Sequence, residues 1–255
     1  MSAALSAMRA LLSEGGVGAA VARLEAEGEG EAARLLARHP EADLLLQAMP
    51  DHEAAADPAS LARAFDRLVV ASPEGAVALY SLGDPALLAA ATEEVLALLR
   101  AWGVIAPGRR ILELGCGIGR FLEATGAVGL DISKGMLVEA RRRIPGAPLV
   151  RGSGRDLPFA DAAFDAVLAI DAFPYIVQAG LAEIHLAEAG RVLGEGGELL
   201  VFNYAYGSEE EFPALAARYG FSVEIAGRRP FRTWDGSAWR LRRLARPPGG
   251  PPQFA

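Results

Sequence analysis

The chain has 255 residues, 52% of them hydrophobic, enough to bury a full core and to argue against intrinsic disorder. With 32 acidic against 25 basic side chains its formal charge is -7, which disfavours a main task of binding nucleic-acid phosphates and suits a small-molecule partner. A single cysteine, Cys116, excludes an internal disulfide framework and fits a reducing compartment. The stretch from Met1 to Gly16 is alanine-rich and amphipathic, without the basic region, long apolar core and cleavage site of a secretory signal. No segment is an uninterrupted membrane span, so the expected address is the cytoplasm.

From Ser2 to about Ser72 the pattern is helical, with Val21, Leu24, Leu35, Leu36, Leu44, Leu45, Leu61 and Phe65 recurring at three- and four-residue steps. Gly15, Gly16, Gly28, Gly30, Pro40 and Pro50 cut it into short helices, and no catalytic motif lies in it. Asp84-Pro85, an N-cap followed by proline at the first helical position, announces a longer helix that runs to about Trp102 before Gly103 stops it. After Pro107-Gly108 short apolar strands alternate with helices, the pattern of a parallel sheet with crossover connections. Strands are predicted at Arg110–Leu114, Ala127–Leu130, Leu149–Val150, Phe164–Ile170, Gly197–Tyr204, Phe221–Ala226 and Ala238–Leu244. Ser133 can cap a helix ending before Pro145, Ala182–Leu193 forms another, and Ser208-Glu209-Glu210-Glu211 opens a third with acids at its positive end. Arg246 to Ala255, with four prolines and two glycines, reads as a loose tail.

The informative segment is Ile111-Leu112-Glu113-Leu114-Gly115-Cys116-Gly117-Ile118-Gly119-Arg120-Phe121-Leu122, an apolar strand entering a glycine-spaced loop and then a helix. The glycines remove Cβ atoms from the turn, so the backbone can approach a ligand while the helix N-terminus points free N–H groups at it. The next strand, Ala127-Val128-Gly129-Leu130, ends in Asp131, whose carboxylate can accept hydrogen bonds from the vicinal hydroxyls of a ribose.

These residues resemble the class I S-adenosylmethionine-dependent methyltransferases, whose first motif is an acid, any residue, then Gly-x-Gly-x-Gly: Glu113, Gly115, Gly117 and Gly119 match it. The resemblance continues through Asp131-Ile132-Ser133 with Met136-Leu137, Gly152-Ser153-Gly154-Arg155-Asp156-Leu157-Pro158-Phe159, Phe164-Asp165-Ala166-Val167-Leu168 and Arg191-Val192-Leu193-Gly194-Glu195-Gly196-Gly197-Glu198-Leu199, most of residues 85–245. It implies a Rossmann-like, doubly wound α/β fold with a seven-stranded, mostly parallel sheet whose last strand is antiparallel, and an N-terminal helical segment. It also implies S-adenosylmethionine as cofactor, with the loop around its methionine part, Glu113 near its amino group, Asp131 on the ribose, and Ile132 and Met136 beside the adenine. Ser153 stands where that family usually has an acid near the adenine amino group. The implied cofactor contacts are Tyr80, Glu113, Gly115, Cys116, Gly117, Gly119, Asp131, Ile132, Met136, Ser153, Gly154, Arg155 and Asp171; no metal is implied.

In an open α/β sheet the ligand lies at the carboxyl ends of the strands, which directs attention to Asp171-Ala172-Phe173-Pro174-Tyr175 and Asn203-Tyr204-Ala205-Tyr206. Asp171 and Tyr175 are the candidates for substrate positioning. Ala172 cannot accept hydrogen bonds from a target amino group as the asparagine of an Asn-Pro-Pro-Tyr motif does, so no N-methylation specificity follows. His185 is expected on a helix surface or as a cap, with a general base as the alternative, and Cys116 as a small side chain under the loop. The organisation expected is a helical cap at residues 1–78 that helps choose the substrate, a cofactor-binding domain at 79–245 and a flexible tail at 246–255, acting as monomer or homodimer on a small-molecule acceptor. Three alternatives stand beside this: an RNA-modifying enzyme using the arginines and aromatics between Arg228 and Arg243, a protein that only binds the cofactor, and an NAD(P)-dependent oxidoreductase.

Overall fold

The computed structural model describes residues 2–49 and 57–245; the expectations for Met1, Pro50 and the tail lie outside these. Seven strands, β1 (Ile111–Leu114), β2 (Val128–Asp131), β3 (Leu149–Arg151), β4 (Phe164–Ile170), β5 (Leu193–Phe202), β6 (Phe221–Arg228) and β7 (Ala238–Arg243), join in one sheet ordered β3-β2-β1-β4-β5-β7-β6. The pairs from β3 to β5 are parallel, and β7 runs antiparallel to both β5 and β6. The chain winds outward from β1 through β2 and β3, then returns to place β4 on the other side. The crevice for a ligand therefore opens at the carboxyl ends of β1 and β4.

Strand residues feed two cores by simple alternation. Ile111, Ala166, Leu168 and Leu200 pack on one face, and Leu112, Leu114, Val167 and Leu199 on the other. Both faces are covered, which explains the nearly unbroken apolar run of β4.

Short helices precede the sheet: α1 (Ala3–Glu14), α2 (Val17–Ala26), α3 (Gly30–Ala37), α4 (Ala42–Ala48), α5 (Pro58–Ala71) and α6 (Pro73–Val77). Their starts are written in the sequence. Asp57 accepts hydrogen bonds from the backbone N–H of Ala59 and Ser60, Ser72 from Gly75, and Asp84 from Ala86 and Leu87 at the start of α7 (Pro85–Ala101). Helices α1 to α3 enclose Leu11, Ala20, Leu24 and Leu36 in a core of their own. Leu5, Met8, Leu45, Leu68 and Val69, by contrast, share one core with Ile111, Cys116, Met136 and Leu168 of the sheet domain. Asp66 on α5 also accepts hydrogen bonds from Ser133 Oγ (2.6 Å) and Gly135 N (2.7 Å), at the N-terminus of the helix that follows β2. Apolar burial and a helix-end carboxylate thus fix the helical segment over the carboxyl ends of the strands.

The remaining helices are α8 (Leu122–Thr125), α9 (Lys134–Arg143), α10 (Phe173–Gln178), α11 (Ala182–Val192) and α12 (Phe212–Arg218). Ser133 caps α9 as predicted, accepting from Met136 N. Besides shifts of one or two residues at strand ends, three differences from the predicted elements stand out. β5 starts directly after α11 at Leu193 and ends at Phe202, because Asn203 takes the left-handed φ of 70°. α10 was not expected; it turns Tyr175 onto a helix rather than a loop. The helix expected from Ser208 begins at Phe212, with Glu209 to Glu211 in the turn ahead of it and Pro213 in the first helical turn, where a missing N–H costs nothing.

Candidate cofactor and active site

Strand β1 ends in the glycine loop, which Gly115 N and Cys116 N tie to Leu130 O of β2 at 2.8 and 3.0 Å. Gly115 and Gly117 adopt positive φ, 69° and 51°. A Cβ at 115 would lie 2.8 Å from Ala172 Cβ, and one at 117 only 2.7 Å from Val77 Cγ1. Gly119 serves another purpose. Its missing Cβ faces Ile144 and Ala140, so it seats the loop on α9 and takes no part in the cavity wall where a ligand contact was expected.

Four side chains give the site its electrostatics. Glu113 is 1% exposed, and its Oε2 has no hydrogen-bond partner. Burial pushes its carboxyl up to about 8, against the pull of Arg120 and with the help of Asp131. Asp131 accepts Gly117 N at Oδ2 (2.9 Å) and Ser133 N at Oδ1 (2.8 Å); burial holds it at about 6 despite these bonds. Each oxygen thus accepts one backbone bond and keeps a lone pair, and the residue lines the cavity. Arg120 donates through Nη1 to Tyr80 OH (2.7 Å) and through Nε to Thr92 Oγ1 (2.8 Å), and its buried Nη2 has no partner. Tyr80, itself buried and stacked on Trp234 with centroids 5.4 Å apart, is pushed up to about 12 by burial.

These groups line a cavity of about 460 Å³ at the carboxyl ends of β1 and β4, within the usual size of a small-molecule site. Of the residues expected from the sequence, Tyr80, Glu113, Gly115, Cys116, Gly117 and Asp131 are in its wall. So are Ile132, Met136, Ser153, Gly154, Asp171 and Tyr175. Arg155 is not: it is exposed beyond the wall, its backbone N–H donating to Ser153 Oγ. Cys116 is buried against Gly129, where a Cβ would meet its sulfur at 2.8 Å; burial raises its thiol far above the ordinary range, as fits a packing residue.

At the exit of β4, Asp171 takes a φ of 60° and accepts a hydrogen bond from Asn203 Nδ2 at 2.6 Å, across from the end of β5. Burial holds its carboxyl above the ordinary range, opposed by that bond and by Arg120. Tyr175 packs edge-on to Phe65 of α5 at 5.1 Å. Burial raises its phenol, so it stays protonated at neutral pH and can donate or accept a hydrogen bond, or serve as a packing surface, without acting as a phenolate base. His185 departs from expectation: it is buried in the wall against Gly154, and Nδ1 meets Leu181 O at 2.8 Å. A carbonyl only accepts, so Nδ1 carries the proton and Nε2 the lone pair. Burial also lowers its pKa, which keeps the ring neutral.

Sequence reasoning pointed to Asn203 only as part of the fifth strand's exit, without a role, and missed Arg120, Trp234 and the wall contributed by Met8, Leu12, Met49, Leu61 and Phe65. Arg120 sits one residue past the glycines, a position that carried a signal. The others reach the cavity through contacts distant in sequence. Among the described residues no three His, Cys, Asp or Glu side chains converge as metal ligands, and no helix is long and apolar enough to cross a membrane. The arginines near the C-terminus are largely committed: Arg240 and Arg242 pair with Glu198 and Glu224, Arg229 with Glu209, and Arg232 with Glu94, while Trp239 and Leu241 are buried on the opposite face.

Residues 112–201 match the family model described as a methyltransferase domain. The chain is 37% identical over 105 residues to a phthiotriol/phenolphthiotriol dimycocerosates methyltransferase of Mycobacterium ulcerans, covering 36% of this chain and 36% of that protein. It is 34% identical over 128 residues to a demethylmenaquinone methyltransferase of Beutenbergia cavernae, covering 46% and 49%. It thus spans less than half the length of these curated relatives. Among solved structures, magnesium protoporphyrin IX methyltransferase of Synechocystis PCC 6803 with bound S-adenosylmethionine superposes with a TM-score of 0.50 at 18% identity, over 62% of this chain and 80% of that one, and shares the fold.

Proposed function

We propose, for a chain that carries a class I S-adenosylmethionine-dependent methyltransferase domain, that it transfers a methyl group from S-adenosylmethionine to a small-molecule acceptor. One observation carries the reading. The two buried polar atoms without partners among the described residues, Glu113 Oε2 and Arg120 Nη2, have opposite character and line the same cavity. A buried donor and a buried acceptor are left unpaired at a cost unless a ligand completes them. The zwitterionic end of an amino acid does so: Glu113 takes the ammonium and Arg120 the carboxylate. Asp131 takes the ribose hydroxyls, Gly115 and Gly117 give the backbone room, and Ile132 and Met136 line the base.

Once bound, the cofactor supplies a methyl group already activated by its sulfonium charge, so the protein has mainly to align and to exclude water. Orientation of that kind is worth about 7–11 kcal/mol in favourable cases. Asp171 and Tyr175 face the remaining space and position the acceptor. The helical segment, residues 1–78, closes the cavity with α1, α4 and α5 and so helps select it. The pairing of the C-terminal arginines with acids leaves little free cationic surface for RNA, and supports a small acceptor instead. The test uses methyl-labelled cofactor incubated with the protein and, separately, a small-molecule extract, RNA and protein. Label in a low-molecular-weight product supports the reading; label in RNA alone overturns it.

A further inference from the structure

Five non-glycine residues have positive φ among the described residues, and three of them, Asp171, Asn203 and Tyr206, line this one cavity. A left-handed backbone is costly for a residue with a Cβ, and such conformations collect where a site imposes them. Two of the three are held by neighbouring strands: Asp171 N donates to Phe202 O at 2.9 Å and Asn203 N to Ser237 O at 2.7 Å. The kinks set the two side chains next to each other at the ends of β4 and β5, where Asn203 Nδ2 donates to Asp171 Oδ1 at 2.6 Å. That bond uses one of the two amide N–H groups. It leaves two acceptors, Asp171 Oδ2 and Asn203 Oδ1, with no hydrogen-bond partner among the described residues.

The charge of the wall narrows what can meet them. Among the described residues the lining carries Asp131, Asp171 and Asp235, the last paired with Arg9, beside a Glu113 that is protonated at neutral pH, against the cation of Arg120. Such a wall attracts a sulfonium and repels an anionic acceptor. Much of the remaining wall is apolar: Met8, Met49, Leu61 and Phe65 line it, Phe65 edge-on to Tyr175, and so does Leu12, which is 52% exposed. Methionines adapt to irregular apolar shapes, which suits a bulky hydrocarbon or ring system better than a sugar or an amino acid.

We propose that the acceptor is an uncharged molecule with an apolar body and one O–H- or N–H-bearing nucleophile that donates to Asp171 Oδ2, with Asn203 Oδ1 accepting the second N–H where the nucleophile is an amine. The inference rests on the methyltransferase reading and names the substrate class of the same site. Asn203 is a positioning residue: it fixes the rotamer of Asp171, and Asp171 Oδ2 would receive the proton that the nucleophile gives up as its oxygen or nitrogen bonds the methyl carbon, the methyl–sulfur bond breaks and S-adenosylhomocysteine leaves.

The test is calorimetric titration of the protein saturated with S-adenosylhomocysteine, using four probes of one shape: naphthol, naphthylamine, naphthalene and naphthoate. Naphthol or naphthylamine binds about tenfold tighter than naphthalene, the worth of one hydrogen bond, and naphthoate binds weakest. The comparison of the first two tells oxygen from nitrogen. Asn203→Gly accepts the positive φ without strain, and in a variant that still binds S-adenosylhomocysteine it erases the preference for the donor-bearing probes. Leu12→Asp, at an exposed position, weakens all three neutral probes. Naphthoate binding as tightly as naphthol, a preference that survives Asn203→Gly, or no binding of any neutral probe overturns the inference. Failure of S-adenosylhomocysteine itself to bind overturns the methyltransferase reading beneath it.

Discussion

Replacing Glu113 by glutamine exchanges stability for function in a direction that the structure fixes. The carboxyl has an ordinary value of 4.5 and is held at about 8 by burial. Below the ordinary value it is neutral in both folded and unfolded chains and contributes nothing. As pH rises from there to about 8 the unfolded chain ionises while the folded one does not, so stability falls through this window and the loss is complete above it. At about 1.4 kcal/mol per unit, the penalty is roughly 1 kcal/mol at pH 5.5 and roughly 4 kcal/mol at pH 8. Glu113→Gln removes it, so urea unfolding finds the variant gaining about 3 kcal/mol on the parent between those two pH values. Cofactor binding reports the opposite side. A group titrating at about 8 is roughly nine-tenths protonated at pH 7, and the arriving ammonium ionises it, so the parent releases close to one proton on binding. Calorimetry in buffers of different ionisation enthalpy reads that release. The variant shows none, and its affinity for S-adenosylhomocysteine falls about tenfold to a hundredfold, the worth of a charge-assisted hydrogen bond. An equal difference in stability at both pH values, together with unchanged proton release, refutes the reasoning.

Gly115→Ala forces a Cβ to 2.8 Å from Ala172 Cβ at a φ of 69°. Its cost is about 1–2 kcal/mol for the backbone plus about 1–3 kcal/mol for the contact, and Ala172→Gly in the same chain recovers only the second part in a double-mutant unfolding cycle. Arg120→Met removes the buried cation and its unpaired Nη2 and weakens S-adenosylhomocysteine about tenfold to a hundredfold, measured by calorimetry. Tyr175→Phe retains the edge-on contact with Phe65 and loses only the hydroxyl; kcat/KM for the identified acceptor falls about tenfold, and unchanged turnover removes the residue from the chemistry.

Much of the site was legible because its residues are local in sequence. The strand, glycine loop and second strand from Ile111 to Asp131 are continuous, and hydrophobic alternation plus the need for positive φ mark each part. Ser133 and Asp84 were legible as caps for the same reason, since a cap acts within three residues. The acceptor side was not. Asn203 meets Asp171 across 32 positions of chain and Phe65 meets Tyr175 across more than a hundred, and no periodicity encodes such pairs. His185 carried the wrong expectation because helical spacing does not show that its ring turns inward onto Gly154. Arg155 failed differently: its segment reaches the wall through Ser153 and Gly154, and the turn then carries the next side chain outward. Four neighbouring residues in a motif need not all face the ligand.

The most direct test of the central claim is calorimetric titration of the purified protein with S-adenosylmethionine, S-adenosylhomocysteine and NAD, beside an Asp131→Ala variant. Both adenosyl compounds are expected to bind at micromolar concentration, more weakly in the variant, and NAD not to bind. Absent adenosyl binding, or tight NAD binding in its place, contradicts that claim.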